Sequence, residues 1–419
     1  MTITSAPSGQ AARDSGLLRY RPEFPLLSAT TYLNTCSLGA LPARGRHKLD
    51  EFLDQWERLG ASAWYSHWMD ELAALRDDFG WLIGRPGSEV ALAPNVSVAL
   101  ASVASAMGPL HSGEPTTAAR LAEAWGLAAS PRPTARRPRV ITTALDFPTV
   151  GHQWLARRSL GVELVVLPSP DGMTVPLADF EAAIDERTAA VATGHVYYTT
   201  GAVQDLAGLA RICHRNGALL IADGYQASGL IPTDVAALDV DAYVSGTLKW
   251  LFGGPGNAFL WLRPEIRDAL DPTTTGWFSS ARQFAFDVEH LDLATDGRKF
   301  EMGTPAVPAA FIARGGMSLV REIGVEALHA RTVDLGTLCI RLAEEAGVPV
   351  QAVRDPAWRA GIVAIAVADP APVVAALASQ GRIVDARPGI IRLSPAFYNR
   401  EEEVAAVIEA IVPLVNARE

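Results

Sequence analysis

A lysine enclosed by apolar and glycine-rich sequence is the side chain of this chain best suited to covalent chemistry. Lys249 follows the apolar segment 242–246 and precedes glycines in the segment 252–256. Burial lowers the pKa of a lysine and yields a neutral amine, which can form a Schiff base with a carbonyl group. The hydroxyls of Ser245 and Thr247 could serve a phosphate, and the glycines would let the backbone approach a cofactor closely. Lysines near glycines are common, so a second group has to support this interpretation.

An aspartate at the end of an apolar strand is that second group. Asp223 follows the run Ala218–Ala222 and precedes a glycine. A carboxylate in such a place needs a cation or a proton donor beside it. A protonated pyridine nitrogen is one such partner, and the pairing makes the ring a better electron sink. An aspartate here also commonly caps the next helix, but its combination with Lys249 favours a cofactor that has both a carbonyl group and a pyridine ring.

The elements that must position these side chains alternate between strands and helices. Five short apolar runs have the length of buried strands: Arg139–Thr143, Val162–Leu167, Ala189–Thr193, Ala218–Ala222 and Ala242–Ser245. Helical periodicity marks Leu177–Ile184 and Leu206–Asn216 between them. The alternation predicts an α/β fold with a mainly parallel sheet, in which ligands bind beyond the carboxyl ends of the strands. Asp146, Asp223 and Thr247 each follow a predicted strand and should lie at that edge.

The sequence from about Ala309 onward has a different pattern. It contains a long helical pattern over Gly316–Ala346, then Gly361–Val367, Val373–Gln380 and Ile390–Leu393, and a closing helix over Glu401–Val415. We therefore expect a large domain, residues 31–308, and a smaller α+β domain formed by residues 1–30 and 309–419. Residues 108–138 are rich in Ala, Pro, Thr and Arg and look like an insertion, either a surface elaboration or a lid or dimer element.

Composition excludes several classes of partner. The 419-residue chain is 49% hydrophobic and has a formal net charge of −10, which argues against nucleic acid as a main partner. No apolar run approaches the roughly 20 residues of a membrane span, and residues 1–15 lack the apolar core of a secretory signal, so we expect a cytoplasmic protein without a membrane partner. The three cysteines, Cys36, Cys213 and Cys339, lie far apart and match neither a disulfide framework nor a zinc site.

Together these segments resemble the class V branch of the fold-type I pyridoxal phosphate enzymes, which includes kynureninases, cysteine desulfurases, C–S lyases and isopenicillin N epimerase-like proteins. The resemblance runs from about Tyr32 to Asn399. It implies a seven-stranded, mainly parallel sheet, pyridoxal 5'-phosphate as the cofactor and a homodimer with shared active sites. It also implies that Lys249 forms the Schiff base, that Asp223 pairs with the pyridinium nitrogen and that Gln226 hydrogen-bonds the phenolic oxygen.

Further motifs resemble family segments that surround the cofactor. Val96 and Ser97, in the sequence Ala-Pro-Asn-Val-Ser-Val, resemble a phosphate-binding turn at a helix start, where free backbone N–H groups favour an anion. Phe147, in Asp-Phe-Pro-Thr, matches an aromatic residue that stacks on the cofactor ring. Trp277 and Thr304, in Gly-Trp-Phe and Phe-Glu-Met-Gly-Thr-Pro, match segments that reach the neighbouring subunit's site.

The same resemblance implies three substrate-binding residues. Arg392, in Ile-Arg-Leu-Ser-Pro, matches the arginine that grips the substrate carboxylate through two hydrogen bonds. An arginine between two apolar residues is also less suited to a surface salt bridge. Thr149, two residues after the ring-stacking phenylalanine, and Asn34, in the N-terminal loop Asn-Thr-Cys-Ser-Leu-Gly, are expected beside the substrate.

Several departures from the family patterns narrow the reaction. Segment 384–392 contains no cysteine, although a desulfurase carries its nucleophile shortly before the arginine. Leu248 replaces the kynureninase tyrosine whose hydroxyl can act as a general acid, Val150 replaces an aspartate, and Thr304 replaces an asparagine. Persulfide chemistry and standard kynureninase chemistry are therefore both disfavoured.

The expected reaction is the breaking of a Cβ–S bond in a bulky amino acid or cysteine conjugate. The resemblance implies that the substrate amine displaces Lys249 to form an external aldimine, that the lysine removes the Cα proton, and that β-elimination gives pyruvate and ammonia. A class V aminotransferase or a decarboxylating deaminase is the alternative, and an inert scaffold is disfavoured by Lys249 and Asp223. A tunnel of aromatic residues would suit a bulky side chain, and its expected members are Trp64, Tyr65, Trp68, Trp277 and Phe278. Packing in the core explains Trp64 and Trp68 equally well, because residues four apart share one face of a helix.

Overall fold

The computed structural model describes residues 16–124 and 136–416. Residues 1–15 and 417–419 of the expected small domain, and 125–135 of the expected insertion, lie outside the described residues. The strands are β1 Thr31–Tyr32, β2 Val90–Ala93, β3 Arg139–Thr143, β4 Glu163–Leu167, β5 Thr188–Gly194, β6 Leu219–Asp223, β7 Ala242–Gly246, β8 Ala258–Leu262, β9 Val350–Gln351, β10 Val363–Ala366, β11 Arg382–Ile383, β12 Asp385–Arg387 and β13 Ile390–Leu393.

The helices include both short and long segments, and single 3-10 or π-helical turns connect some of them. They are α1 Ala43–Leu59, α2 Met69–Ile83, α3 Val96–Ala106, α4 Gly108–Ser112, α5 Pro115–Ala124, α6 Pro148–Leu155, α7 Leu177–Ala183, α8 Leu206–Arg215, α9 Pro264–Ala269, α10 Val307–Ile323, α11 Val325–Glu345, α12 Pro370–Ala378 and α13 Glu401–Asn416.

The central sheet has seven strands in the order β2-β8-β7-β6-β5-β3-β4. Strands β3 to β7 pair in parallel, and β8 runs antiparallel to both β7 and β2. Every residue of β5, β6 and β7 is buried, which is typical of a parallel sheet covered on both faces. The α/β fold and the mainly parallel seven-stranded sheet predicted from the sequence are therefore confirmed.

Strands β2 and β8 were not predicted, and β8 explains where the reactive lysine lies. Parallel neighbours need a long crossover, usually a helix, whereas antiparallel neighbours can be joined by a loop. The chain passes from β7 to β8 without a helix, through the glycine-rich segment 247–257. Lys249 lies in this connection, at the carboxyl end of β7, so the loop that carries the amine is anchored by a strand at each end.

Helices cover both faces of the central sheet. Along β6, Leu220 and Ala222 belong to one apolar cluster, while Leu219 and Ile221 belong to another on the opposite face. This alternation is what a strand buried on both sides requires, because successive side chains point in opposite directions. Both faces of the sheet are therefore occupied by apolar packing, and a site can form only at its edge, where polar groups follow the carboxyl ends of the strands.

The C-terminal part of the chain forms a separate antiparallel sheet in the order β12-β13-β10-β9. A third apolar cluster joins this sheet to α11 and α13. The N-terminal strand β1 pairs in parallel with β11 and so ties residues 31–32 to this region. The division into residues 31–308 and 1–30 plus 309–419 stays a prediction.

The prediction of a single long helix over Gly316–Ala346 was wrong. The chain forms two helices, α10 and α11, which are separated at Gly324, where φ is +89°. Side-chain periodicity continues through this point, so the pattern alone did not reveal the break. A glycine with positive φ ends a helix without the steric cost that a side chain would add.

Across residues 16–124 and 136–416, no helix has the length and apolar character needed to cross a membrane. Within the same residues, no group of three or more histidine, cysteine, aspartate or glutamate side chains is arranged to hold a metal ion.

Candidate active site

A cavity of about 310 Å³ opens at the carboxyl edge of the central sheet, a volume within the range of small-molecule sites. Its wall comes from the ends of several parallel strands, from the β7–β8 connection, from the N-terminal loop and from β12. The lining residues are Cys36, Ser37, Leu145, Asp146, Phe147, Gly194, Val196, Tyr197, Tyr198, Asp223, Tyr225, Gln226, Leu248, Lys249 and Arg387. The structure thus brings together four of the predicted residues: Phe147, Asp223, Gln226 and Lys249.

Lys249 lies in the cavity in a form suited to nucleophilic chemistry. Burial, together with the nearby charges of Arg392 and Arg387, lowers the pKa of its amine to about 8, although Cys36 and Asp223 partly oppose this shift. Its Nζ atom lies 4.5 Å from the centre of the Tyr225 ring. Near neutral pH a much larger fraction of this amine is therefore uncharged than in a lysine with the ordinary pKa of 10.5, and the uncharged form is the one that Schiff-base formation requires.

The backbone around Lys249 is fixed by the N-terminal loop. The N–H of Gly39 donates to the carbonyl of Leu248 at 2.9 Å. A Cβ atom at Gly39 would lie 2.1 Å from the Lys249 carbonyl oxygen, which no real contact allows. Glycine at position 39 therefore permits the loop to pack directly against the segment that carries the amine.

Asp223 provides a carboxylate that can accept more hydrogen bonds than it receives. Within the described residues it accepts one hydrogen bond, from the backbone N–H of Tyr225 at 2.9 Å. Burial raises its pKa to about 6, while the nearby Lys249 partly opposes the rise. A buried carboxylate with unused acceptor capacity gains from a cationic N–H partner, and this is what a protonated pyridine nitrogen offers.

Asp146 differs from Asp223, although both follow parallel strands. Its carboxylate accepts hydrogen bonds from the backbone and hydroxyl of Thr143, the hydroxyls of Thr142 and Thr193, and the backbone of Gly194. These partners belong to β3 and β5. Asp146 therefore ties two neighbouring strand ends together and has little capacity left for a ligand.

Phe147 presents an aromatic face to the cavity. Its side chain is 43% exposed, and its ring centre lies 5.9 Å from Nζ of Lys249. Tyr198 contacts it edge-on, with 5.2 Å between ring centres. The residue after it is Pro148, the first residue of α6, which fixes the direction of the chain. The ring is available to pack against a planar group attached to Lys249.

Gln226 lines the cavity with an amide that is already oriented. Its Nε2 donates to the carbonyl of Cys36 at 2.9 Å, and its Oε1 accepts from the indole N–H of Trp250 at 2.9 Å. An amide nitrogen has two N–H donors, so one remains for a cofactor oxygen. The predicted role at the phenolic oxygen stays a prediction.

Two hydroxyls meet beside the start of α3. Asn95 caps this helix, with its side chain accepting from the N–H of Val98. The hydroxyls of Ser97 and Thr149 lie 3.2 Å apart, and Val96 is buried as the first helical residue. Free N–H groups and hydroxyls at a helix start suit a phosphate. Thr149, which is expected beside the substrate, lies against the predicted phosphate-binding turn, and its substrate contact stays a prediction.

The hydroxyl of Thr247 does not face a phosphate site. It donates to the carbonyl of Gly254 at 2.7 Å, and the backbone N–H of Gly253 donates to the Thr247 carbonyl at 2.9 Å. The side chain is fully buried. Thr247 therefore closes the glycine-rich loop after Lys249 on itself, and the expectation that its hydroxyl serves the phosphate stays a prediction.

Arg392 and Asn34 lie behind the cavity wall. Arg392 is 1% exposed and is paired with Asp385, which lies directly across from it on β12. The backbone of Asn34 forms a bridge with Ser394. Its Oδ1 is buried and has no hydrogen-bond partner in the described part of the chain. Neither side chain reaches the cavity directly, so their expected substrate contacts stay predictions.

Trp277 and Thr304 lie on the surface, away from their own chain's cavity. The indole N–H of Trp277 donates to the carbonyl of Gln283 at 2.5 Å, and its ring stacks on Phe286. Thr304 is exposed. The structure does not bring these residues to Lys249 within one chain, and their predicted role across a dimer stays a prediction.

The expected aromatic tunnel does not form in one chain. Trp68 is buried and packs against Phe52 and Trp64. Phe278 is also buried, and Tyr65 is 77% exposed. These side chains are divided between the core and the surface, so the core-packing explanation is right for Trp64 and Trp68.

The three cysteines have different surroundings. Cys213 and Cys339 are buried in helices α8 and α11, and burial raises the pKa of Cys339 to about 12. Cys36 is also buried but lines the cavity. No cysteine lies on β12 or β13, next to Arg392.

The cavity residues that the sequence reasoning missed include Ser37, Tyr198, Tyr225 and Arg387. Tyr225 had a usable signal, because it lies between Asp223 and Gln226. The other three come from loops and from the antiparallel sheet. Their approach depends on long-range pairings such as β12 with β13, which no local pattern encodes.

Comparisons with known proteins agree with this geometry. The sequence pattern of the family described as aminotransferase class-V matches residues 116–407. An uncharacterized aminotransferase of Bacillus subtilis is 34% identical over 394 residues, which cover 94% of this chain and 96% of that protein. A kynureninase of Pseudomonas fluorescens is 27% identical over 340 residues, covering 80% of this chain and 75% of the relative.

A solved structure supports the fold independently. A complex between the cystine C–S lyase C-DES and its reaction product, cysteine persulfide, superposes with a TM-score of 0.79 at 20% identity, covering 93% of this chain and 99% of the other. Identity this low shows the fold alone, whereas the family match covers most of the present chain. The chain belongs to the class V aminotransferase family of pyridoxal phosphate-dependent enzymes.

Proposed function

We propose that this protein is a pyridoxal phosphate-dependent lyase that breaks the Cβ–S bond of an amino acid, such as a cysteine S-conjugate with a bulky side chain. The observation that carries the proposal is the cavity in which Lys249, Asp223 and the exposed Phe147 ring meet. Two departures favour a lyase of this kind: Leu248 stands before the lysine, and β12–β13 carries no desulfurase cysteine. The fold shared with a cystine C–S lyase is compatible with it.

The cavity residues fit the cofactor at each of its chemical groups. Lys249 offers an amine of lowered pKa for the aldehyde. The carboxylate of Asp223, which accepts one hydrogen bond within the described residues, suits a protonated ring nitrogen. Phe147 offers an aromatic face, and Gln226 has an amide N–H to spare. The start of α3, with Ser97 and Thr149, would hold the phosphate.

Bound pyridoxal phosphate supplies a carbonyl group for the substrate amine and a ring that accepts electrons from Cα. The residues of the chain control the protons. Asp223 would hold a proton on the ring nitrogen, and the amine of Lys249 would take the proton from Cα as a general base. The exposed ring of Phe147 would pack against the bound cofactor.

The overall reaction balances without an added oxidant or reductant. The Cα–H and Cβ–S bonds break, and the sulfur leaves with the electron pair and is protonated to a thiol. The released enamine takes up one water and gives pyruvate and ammonium. Substrate and water therefore account for every atom of the products.

An aminotransferase is the second candidate, because the Bacillus subtilis relative carries that description. In that reaction Lys249 would return the proton taken from Cα, and no group would leave from Cβ. The two reactions differ in their products, because transamination needs a keto-acid acceptor and gives no pyruvate from a cysteine conjugate.

The test is a product assay on the purified holoenzyme. S-Methyl-L-cysteine, a bulkier S-benzyl conjugate, kynurenine and L-alanine are each supplied with and without a keto-acid acceptor. The lyase predicts pyruvate and thiol in equal amounts from the conjugates without an acceptor. From the conjugates, a keto acid that appears only with an acceptor, with no pyruvate, would instead establish the aminotransferase.

We also propose that the protein is a homodimer with shared active sites. An exposed aromatic cluster supports an interface: Tyr65, Trp277, Phe284 and Phe286 are between 42% and 77% exposed and contact one another. Contiguous apolar surface of this kind is typical of protein contacts. A second copy that covers it would bring Trp277 to the neighbouring cavity.

A further inference from the structure

The ring of Tyr225 contacts the amine that the proposed reaction uses. Nζ of Lys249 lies 4.5 Å from the centre of the Tyr225 ring and 5.9 Å from the centre of the Phe147 ring. Both distances lie within the roughly 6 Å over which an aromatic face attracts an ammonium group. Across the described ranges 16–124 and 136–416, this amine has no hydrogen bond or ion pair. Its position therefore depends on ring contacts, and the contact with Tyr225 is the shorter one.

The backbone and the ring of Tyr225 are both held in place. The backbone N–H donates to Asp223 at 2.9 Å, and the ring packs against the apolar cluster that includes Ala242 and Val244 of β7. Gly246 is the next residue of β7 with the same orientation. A Cβ atom at Gly246 would lie 2.6 Å from Cε2 of Tyr225, so glycine at this position leaves the space that the ring occupies.

The hydroxyl of Tyr225 is engaged by the backbone and not by the amine. Burial raises the pKa of this phenol above its ordinary value and Asp223 adds to the rise, whereas a hydrogen bond from the backbone of Leu248 opposes it. The phenol is therefore protonated at neutral pH, and its oxygen already has a partner. The group that Tyr225 presents to Lys249 is the face of its ring.

The ring acts on an amine whose charge is balanced by several other groups. Burial lowers the pKa of Lys249 to about 8. The other groups that act on this pKa are Cys36 and Asp223, which raise it, and Arg392 and Arg387, which lower it. An aromatic face stabilises the ammonium form, so the Tyr225 ring opposes the effect of burial.

We propose that Tyr225 is a positioning residue for Lys249, whose amine it holds through the face of its ring and not through its hydroxyl. The inference rests on the proposed role of Lys249 as the base at Cα. A lysine amine lies at the end of a flexible four-carbon stem, so an amine released from the cofactor needs a contact that keeps it beside Cα. The ring of Tyr225 provides this contact directly after the strand that carries Asp223.

Trace acetylation of the cofactor-free protein at a series of pH values tests the contact without turnover. The sequence has three lysines, Lys48, Lys249 and Lys299, so peptide mass spectrometry reads each amine separately and the other two serve as internal references. Tyr225→Leu removes the ring, and the midpoint of Lys249 labelling should fall by about 0.5 to 1 pH unit because the ammonium form loses its partner. Tyr225→Phe keeps the ring and should leave the midpoint unchanged.

A second variant displaces the ring without replacing it. Gly246→Ala places a Cβ atom against Tyr225, so the labelling midpoint of Lys249 should fall as it does in Tyr225→Leu. Phe147→Leu should shift the midpoint less, because the Phe147 ring lies farther from Nζ. Melting temperatures recorded on the same samples show which variants are folded.

Positioning is read on the holoenzyme from the exchange of the Cα hydrogen of L-alanine for deuterium, followed by NMR. Tyr225→Leu should slow this exchange at saturating alanine by about tenfold or more, and the conservative Tyr225→Phe should restore the rate. Alanine has no leaving group at Cβ, so the exchange reports the base and not the elimination.

Three results would overturn the proposal. They are an unchanged labelling midpoint in folded Tyr225→Leu or Gly246→Ala, a shift in Tyr225→Phe as large as that in Tyr225→Leu, and undiminished Cα exchange in Tyr225→Leu. The labelling is measured without the cofactor. A product assay without pyruvate would therefore refute the proposed lyase, while a shifted midpoint would still support the contact between Tyr225 and Lys249.

Discussion

At the scale of single residues, Lys249 and Asp223 depart from their usual protonation in opposite directions. Burial lowers the pKa of the lysine to about 8 and raises that of the aspartate to about 6. Each shift favours the neutral form, because the interior disfavours charge. Between these two pH values the carboxylate of Asp223 is mostly ionised and can pair with a protonated ring nitrogen, while the uncharged fraction of the Lys249 amine rises with pH.

The lowered pKa of Lys249 predicts the pH dependence of cofactor attachment. The amine is charged below its pKa and reacts only above it, so the attachment rate should rise with pH and level off above about pH 8. An ordinary lysine would keep gaining reactivity up to its usual pKa of 10.5. Stopped-flow absorbance on cofactor-free protein measures the rate, with Nα-acetyl-lysine as the control. A rate that climbs steadily to pH 10 would contradict the burial of this amine.

The carboxylate of Asp223 predicts a separation between cofactor binding and turnover. Asp223→Asn preserves size but cannot hold the ring nitrogen's proton, so the Schiff-base band should persist while kcat falls by about 100-fold or more. Steady-state kinetics and absorbance on the same preparation measure both. Unchanged turnover in a variant with a full band would exclude Asp223 from this role.

The residues found from sequence were those whose chemistry is encoded locally. Lys249, Asp223 and Phe147 each follow a strand or open a helix, so their edge of the sheet could be predicted. Arg387 could not, because its place depends on the register of β12 against β13. The contact of the Thr247 hydroxyl with the Gly254 carbonyl could not be predicted either, because nothing in the sequence shows that this loop closes on itself.

At the scale of elements, the sequence predicted the bounds of the parallel strands more accurately than the ends of the helices. The five predicted parallel strands match β3 to β7 to within about a residue at either end. Strand β8 was missed because it follows a loop and not a helix, and α10 and α11 were read as one helix. Apolar periodicity reports which face is buried, whereas a break at a glycine leaves that periodicity intact.

The break at Gly324 predicts a stability difference between two glycine substitutions. Gly324 has φ of +89°, and only a distant Glu326 oxygen would meet an added Cβ, so Gly324→Ala should cost about 1 kcal/mol or more through the backbone alone. Gly108→Ala is the matched control, because Gly108 starts α4 in open space without a positive φ. Urea unfolding compares the two variants. Equal stabilities would argue against a left-handed break at Gly324.

At the scale of the whole molecule, the cavity is built by one chain but is not closed by it. Lys249, Asp223 and Arg387 line it, while Trp277 and Thr304 lie elsewhere on the surface. The proposed dimer accounts for both facts, because a second copy would supply those residues from outside. The exposed aromatic cluster is the face expected to become buried.

Shared sites predict complementation between two inactive variants. Lys249→Ala and Trp277→Ala should each be weakly active, and a mixture that is allowed to exchange subunits should recover up to about a quarter of wild-type activity, since half the dimers then contain one intact site. Activity after exchange, with size measured by light scattering, tests this. A monomer in solution, or a mixture no more active than its components, would contradict shared sites.

The central claim is that Lys249 carries the cofactor, and chemical trapping tests it most directly. Borohydride reduction of the holoenzyme should fix the cofactor to the protein, and peptide mass spectrometry should find the pyridoxyl group on Lys249. Lys249→Ala, prepared with the same cofactor, should show neither the absorbance band nor the labelled peptide. A label on any other residue, or an undiminished band in Lys249→Ala, would contradict the account.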